Sequence, residues 1–336
     1  MIIGKEQIKT AAVIGCGVIG AGWAARLLWH GIDVVAYDKF PQARDGLSEV
    51  IENSEPALRR ISDVPPSKRG KLSFASSIED AVKLSDYIQE SSPEVMDIKV
   101  PLINEIDKYA KPGAIIGSST SGLLPTQLQA AMKHPERFIV AHPFNPVYLL
   151  PLVEICGGEH TSTQAKETAG DFFESIGMKP LFCRVEVDGF IADRLLEALW
   201  REGVWMVNDN IATTGELDDA IRYGAGLRWA LMGTNLTYYL AGGKNGMRHF
   251  MGQFGPALKL PWCHMEAPEL TQELIDKFVD QTAVQADGKT LRELETLRDN
   301  CLVSIMQALA EHDYAAGKVL KEDMARQKER IGGGII

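Results

Sequence analysis

Apolar residues fall into two patterns along this chain, and the change from one to the other divides it. In the first half, short and mostly apolar runs recur at residues 11–14, 34–37, 72–75, 114–117, 138–141 and 152–155, and Tyr87-Ile88-Gln89-Glu90 reads as another strand. Runs this short and this apolar read as strands covered on both faces, as in a buried parallel sheet. Helical stretches lie between them. Trp23, Leu27 and Leu28 share one helix that Gly31 ends, and residues 41–72 are charged and helical in tendency until Pro65-Pro66 breaks them. Ser77-Ile78-Glu79-Asp80 supplies a capping box for another helix, and residues 95–110 form a further one closed by Pro112-Gly113. Strand and helix in alternation predict a doubly wound α/β sheet with parallel strands.

From about Glu186 the strand pattern fades. Leu195, Leu196, Leu199, Val204 and Val207 recur at helical spacing, and more helices are predicted over 216–223, 227–242, 270–285 and 290–312. The last carries Leu291, Leu294, Leu297, Leu302, Ile305 and Leu309 on one stripe, as a core or dimer contact would. The expected organisation is an α/β domain over 1–185 and an all-α closing and dimerisation domain over 186–336, with Gly332-Gly333-Gly334 as a frayed tail.

Composition narrows the partners. A length of 336 residues accommodates two domains, and 45% hydrophobic with 24% charged residues is ordinary for a water-soluble fold. A formal charge of -10 argues against nucleic acid or an anionic membrane as the main partner. The uncharged stretch 11–25 contains four glycines and ends at Arg26, so it is too short and too broken to span a bilayer. Cys16, Cys156, Cys183, Cys263 and Cys301 are odd in number, scattered and without a C-x-x-C pair, which suits a reducing cytoplasm. No metal is expected, because Cys263-His264 with His249 upstream matches no zinc spacing.

The first strand runs into Gly15-Cys16-Gly17-Val18-Ile19-Gly20, then a helix, a second strand and Asp38. Each part has a physical task in a Rossmann-type dinucleotide site. Gly15 permits the tight turn, Gly17 lets the backbone approach a pyrophosphate, and Gly20 lets helix and strand pack closely. The helix N-terminus offers free N–H groups and a positive dipole end to the phosphates. Asp38 would accept from the adenosine ribose hydroxyls and repel a 2′-phosphate, which favours NAD over NADP. A glycine motif alone is weak; strand, helix and acid at these distances make it specific.

Two further segments carry chemistry. Ser118-Ser119-Thr120-Ser121 sets four hydroxyls at a strand end, the edge where doubly wound sheets bind ligands, although the start of a new element at Gly122 makes a helix cap an equal reading. Ala141-His142-Pro143-Phe144-Asn145-Pro146 puts a histidine at the end of another strand, stiffened by two prolines. Glu154, twelve residues on, lies in a β-type apolar run, where a carboxylate is unfavourable unless paired. An imidazolium on His142 is the natural partner. Such a pair suits oxidation of a secondary alcohol, which needs a base for the hydroxyl proton as hydride leaves carbon.

With Gly189-Phe190-Ile191, these motifs resemble the 3-hydroxyacyl-CoA dehydrogenase superfamily over nearly the whole chain. The resemblance implies NAD as cofactor, bound by Gly15, Cys16, Gly17, Val18, Ile19, Gly20 and Asp38, with Glu90 near the nicotinamide ribose. It implies His142 as base, Glu154 as its orienting partner and Ser121 bonded to the reacting oxygen. Phe144, Asn145, Ile191, Ala192, Asp193 and Phe254 would line the substrate site. A homodimer is implied in the same way. The substrate expected is a small 3-hydroxy acid, L-carnitine foremost, with L-gulonate or a 3-hydroxyacyl-CoA as alternatives. A non-catalytic, crystallin-like NAD-binding protein is the rival from another class.

One position departs from the family. Asp193 stands where an asparagine is usual, either facing the pocket, where it suits a cationic substrate, or merely paired with Arg194 or a neighbouring helix. Ten of the 25 aromatics fall between residues 186 and 262. Helical core accounts for most of these, but aromatic faces are also the usual host of a trimethylammonium group.

Overall fold

The computed structural model describes residues 2–64, 66, 68–230, 232–263, 268–269 and 271–332. Pro65 of the expected helix break, His264, and Gly333 and Gly334 of the expected tail lie outside the described residues. The chain forms two compact units, one of residues 1–194, 302–307 and 318–336, the other of 195–301 and 308–317.

The first unit is built on eight strands: β1 (Thr10–Ile14), β2 (Asp33–Tyr37), β3 (Leu72–Phe74), β4 (Tyr87–Glu90), β5 (Ile115–Ser118), β6 (Phe138–Pro143), β7 (Leu152–Cys156) and β8 (Lys179–Phe182). Their order across the sheet is β3-β2-β1-β4-β5-β6-β7-β8. Helices α1 (Val18–Trp29), α2 (Ala43–Ile61), α3 (Ile78–Val82), α4 (Met96–Tyr109), α5 (Pro125–Gln129) and α6 (Thr163–Ser175) connect them. The predicted α/β architecture is present, and one feature modifies it. β6 and β7 pair antiparallel, while the other neighbours run parallel. Only residues 144–151 separate the two strands, too few for the crossover a parallel neighbour needs. β8 had no apolar run to announce it. It pairs with β7 alone, and an edge position is where Pro180 is tolerated in a strand.

Helix α1 is buried from Gly20 to Trp29, Arg26 included. A guanidinium in such a place must find acceptors. Arg26 donates to the carbonyls of Val147 (2.7 Å), Leu150 (3.1 Å), Ile176 (3.1 Å) and Gly177 (3.1 Å). It thereby ties the α1 face to the segment that follows β6. Burial, opposed by Asp323, lowers its pKa to about 10, so it remains a cation at neutral pH.

The second unit is helical. It contains most of α7 (Ala192–Asn208), then α8 (Thr214–Ala220), α9 (Gly226–Trp229), α10 (Thr234–Ala241), α11 (Gly246–Phe254), α12 (Gln272–Ala286) and most of α13 (Leu291–Glu311). Val204, Val207 and Leu274 form a small core with Leu217 and Phe278. Two expectations change here. Of the two readings of the α13 leucine stripe, core or dimer contact, the core reading does not hold: Val303 and Met306 are buried, whereas Leu291, Leu297 and Ile305 are exposed. Core does not account for most of the aromatics either, since Trp200, Tyr223, Trp229, Tyr238, Tyr239, Phe254 and Trp262 are exposed.

Helix α14 (Ala315–Gly332) belongs to the first unit from Lys318 onward. His30 Nε2 lies 3.1 Å from Asp323 Oδ2, and its Nδ1 lies 2.9 Å from the Arg26 carbonyl. Burial pushes the Asp323 carboxyl up, but His30, Arg26 and Arg326 together outweigh it and hold the group below the usual carboxylate range. Asp323→Ala is expected to lower the free energy of unfolding by about 3 kcal/mol at neutral pH. Because the folded carboxyl titrates below its unfolded range, this contribution is present above about pH 4 and lost as pH falls through the folded value. Urea unfolding across a pH series checks this: the two proteins should converge at the acid end.

Candidate active site

The glycine turn after β1 has the shape its sequence predicts. Gly15 takes a φ of +99°, and a Cβ there would sit 2.5 Å from the Ser91 carbonyl oxygen. A Cβ on Gly20 would sit 1.9 Å from the Gly15 oxygen, so helix and turn pack with no room between them. Around Gly17, by contrast, an added Cβ meets nothing. That open side faces a cleft of about 580 Å³ lined by Gly15, Gly17, Val18, Ile19, Asp38 and Ser92, among others. Asp38 Oδ2 accepts from Cys16 N (2.8 Å) and Oδ1 from Phe40 N (2.9 Å), which fixes the carboxylate at the rim. Burial and then the Asp38 charge push the Cys16 thiol up to about 12, so it stays neutral in the turn. An open-sided glycine at a helix N-terminus with a fixed carboxylate beyond it fits NAD.

Glu90 lies beneath this edge rather than on it. It is fully buried, and Lys99 Nζ reaches both its oxygens at 2.9 and 3.1 Å. Ser92 N (2.6 Å), Ser92 Oγ (2.5 Å) and Ser118 Oγ (2.5 Å) complete its partners. The carboxylate shapes the loop after β4 from below, and the loop residues Ser91 and Ser92, not Glu90, line the cleft. Ser119 is not a helix cap. Its Oγ meets Trp23 Nε1 (3.2 Å), Gln89 Nε2 (2.7 Å) and Ser91 Oγ (2.9 Å). Ser121 is exposed just past β5, with its N–H donating to Glu94 Oε1 (3.0 Å). Glu94 also accepts from Gly122 N and Thr120 Oγ1, a grip on this loop that no sequence pattern indicated.

His142 and Glu154 are direct partners in the antiparallel β6–β7 register. Twelve residues separate them because the connection folds straight back. His142 Nδ1 lies 2.9 Å from Glu154 Oε2, with both side chains buried. The other oxygen, Oε1, accepts from the backbone N–H groups of Ile191 (2.9 Å) and Ala192 (2.8 Å) at the start of α7. Burial pushes the Glu154 carboxyl up, but the bonds from His142, Ala192 and Ile191 outweigh it and hold the carboxyl below its ordinary range. An ionised carboxylate only accepts, so Nδ1 carries the hydrogen, and in the neutral imidazole Nε2 is the nitrogen with the lone pair. The arrangement can therefore take a proton at Nε2.

The turn into α7 makes this geometry. Gly189 (φ +71°) and Phe190 (φ +48°) are both left-handed, which aims the next two N–H groups at Glu154. For a phenylalanine this backbone is unfavourable by about 1–2 kcal/mol. Burial offsets it: Phe190 is fully buried beside Val140, Cys156 and Cys183, with its ring 5.9 Å from that of His142. Phe144 approaches the imidazole from another side at 5.0 Å, edge-on at 62°. Asn145 next to it is exposed.

Asp193 faces the histidine. Its Oδ2 lies 3.7 Å from His142 Nε2, while Arg194 instead donates to the Asp188 carbonyl. His142, Glu154, Phe144, Ile191, Ala192 and Asp193 are thus gathered in the first unit. Phe254 belongs to the second, where its ring lies 5.0 Å from that of Phe250. No group of three or more metal-binding side chains occurs among the described residues.

Comparison with known proteins agrees with this construction. Residues 10–186 match the model of the 3-hydroxyacyl-CoA dehydrogenase NAD-binding domain, and residues 189–281 match that of the same family's C-terminal domain. The chain belongs to the 3-hydroxyacyl-CoA dehydrogenase family. It is 55% identical to a protein of Pseudomonas sp named L-carnitine dehydrogenase, over 94% of this chain and 98% of that one. It is 50% identical to one of the same name from Oceanobacillus iheyensis, over 91% and 99%. Among solved structures, a 5-formyl-3-hydroxy-2-methylpyridine 4-carboxylic acid 5-dehydrogenase, described as an NAD+-dependent dismutase, shares the fold at a TM-score of 0.77 and 29% identity, covering 90% of this chain and 99% of that one.

The cofactor site yields a prediction. Asp38→Ser should weaken NADH binding about tenfold, as expected for loss of hydrogen bonds to a charged group, and narrow the preference over NADPH. Fluorescence titration with both nucleotides measures the ratio, and an unchanged ratio would show that Asp38 does not read the ribose.

Proposed function

We propose that this protein oxidises the 3-hydroxyl of L-carnitine to give 3-dehydrocarnitine, with NAD as acceptor. The observation that carries the chemistry is the imidazole held by Glu154 at Nδ1, with its Nε2 lone pair directed away from that carboxylate. The glycine turn and Asp38 would hold NAD, which when bound supplies the hydride acceptor for the carbinol carbon. Nε2 of His142 takes the hydroxyl proton, and the imidazolium that forms is stabilised by a carboxylate already paid for by two backbone N–H groups. Ser121 would bond the reacting oxygen. Phe144 offers an aromatic face beside the histidine, suited to a quaternary ammonium that cannot donate a hydrogen bond.

The choice of substrate is supported by relatives bearing the L-carnitine dehydrogenase name at 50–56% identity over nearly the full chain. A 3-hydroxyacyl-CoA is the weaker reading, since a Ralstonia eutropha structure named for 3-hydroxybutyryl-CoA shares 27% identity over 66% of this chain. We also propose a homodimer formed through the helical unit, where Leu195, Leu199, Trp200, Leu227 and Trp262 expose apolar surface that favours burial in a partner. A cytoplasmic location accords with five cysteines that are all free. Among the described residues, no helix is long and apolar enough to cross a membrane.

NADH formation measured with L-carnitine, L-gulonate and 3-hydroxybutyryl-CoA side by side tests the substrate. L-carnitine should give the highest kcat/KM, and its being the poorest of the three would sink the proposal. His142→Ala should reduce turnover by a factor of about 10³ or more while NADH affinity stays within about twofold. Equal loss of both would make His142 structural.

A further inference from the structure

We propose that the Ser91 hydroxyl is a fixed hydrogen-bond donor to the nicotinamide half of the dinucleotide, with its direction set by Ser119. Three hydrogen bonds meet on Ser119 Oγ. Trp23 Nε1 lies 3.2 Å from it, Gln89 Nε2 2.7 Å and Ser91 Oγ 2.9 Å. An indole N–H only donates. The Gln89 amide is held one way round by its other contacts, since Nε2 also donates to the Ala141 carbonyl (3.3 Å) and Oε1 accepts from the Tyr87 hydroxyl. Two donors therefore fill both lone pairs of Ser119 Oγ.

A hydroxyl with both lone pairs taken has only its hydrogen left to give. Ser119 thus donates to Ser91, and the hydrogen of Ser91 must point away from Ser119. Among the described residues, Ser91 Oγ has no other hydrogen-bond partner. Ser91 and Ser92 line the dinucleotide cleft of about 580 Å³, and Trp23, Gln89 and Ser119 are not among its lining residues. The relay ends at the cleft wall on a donor that lacks an acceptor.

Position in the sheet says which part of the cofactor meets it. Ser91 follows directly on β4, which flanks β1 on the side opposite β2. Asp38 beyond β2 marks the adenosine half, and the glycine turn beyond β1 suits the pyrophosphate. A dinucleotide lying across these strand ends carries its other half over β4, in the direction of β6 and His142. The ribose and carboxamide oxygens of that half accept hydrogen bonds. A hydroxyl already tethered by Ser119 loses less rotational freedom on meeting one than a free serine would. Gln89 extends the same tether to the carbonyl of Ala141, next to His142. The bonds that aim the donor thus also brace the strand that carries the histidine.

Calorimetric titration with NADH and with ADP, which lacks the nicotinamide half, tests the assignment. Ser91→Ala should weaken NADH binding about fivefold and leave ADP binding within about twofold of wild type. Ser119→Ala should weaken NADH binding about threefold when Ser91 is present, and by less than about 1.5-fold when added to Ser91→Ala. Thermal unfolding reports that each variant is folded. Equal weakening of both ligands in Ser91→Ala would put its effect on the glycine turn, and the inference fails; an unchanged NADH affinity also overturns it. Losses that simply add in the double variant would mean that Ser119 acts through the fold and not through Ser91, which removes the relay.

Discussion

A carboxylate with no contact to solvent stays ionised only if enough hydrogens point at it, and the end of the sheet around β6 and β7 is arranged around how Glu154 satisfies that condition. One hydrogen comes from His142 across an antiparallel strand pair, and two come from the backbone where α7 begins. Remove the strand register and the imidazole is lost; remove the turn at Gly189 and Phe190 and the carboxylate rises toward neutrality. The tautomer of the base is thus decided by backbone geometry in two separate places. The sheet's single antiparallel pairing is what allows it, because only a strand that doubles back brings residues this near in sequence face to face.

Arg26 plays the same part for the cofactor side that those N–H groups play for Glu154. It is a charge buried in an apolar helix, and its four carbonyl partners lie after β6 and after α6. The helix whose N-terminus frames the dinucleotide cleft is therefore tied to the segment that follows His142. Gly22 permits the contact, since a Cβ there would meet Val147 at 3.0 Å. Dinucleotide cleft and base are held at a set distance by polar bonds that an apolar helix would not supply.

What could be read from the sequence was whatever apolar periodicity or a misplaced charge announces. Six strands were visible as apolar runs, and Glu154 was visible because a carboxylate in such a run demands a partner. The glycine turn was visible because three spacings and an acid agree. Helix α14 was not, because the residues it buries include Asp323 and Gln327, so its inward face carries no hydrophobic pattern. Glu90 looked like a ligand-facing acid at a strand end, yet Lys99, nine residues on, draws it inward; an ion pair between elements leaves no mark on local pattern. The α13 stripe shows the converse, a clear period whose leucines remain partly or fully exposed. Periodicity reports a face that seeks burial but not where that burial is found.

The return of α14 to the first unit has a consequence for how the chain is made. His30 and Asp323 stand 293 positions apart, and the helical unit is encoded almost wholly between them. During synthesis the sheet emerges early, with His30 and one side of α1 lacking their cover, and waits while the whole helical segment is translated. The dinucleotide-binding unit is thus the first to begin folding and the last to finish. Until then His30 and the buried polar face of α1 lack the cover that Asp323 supplies.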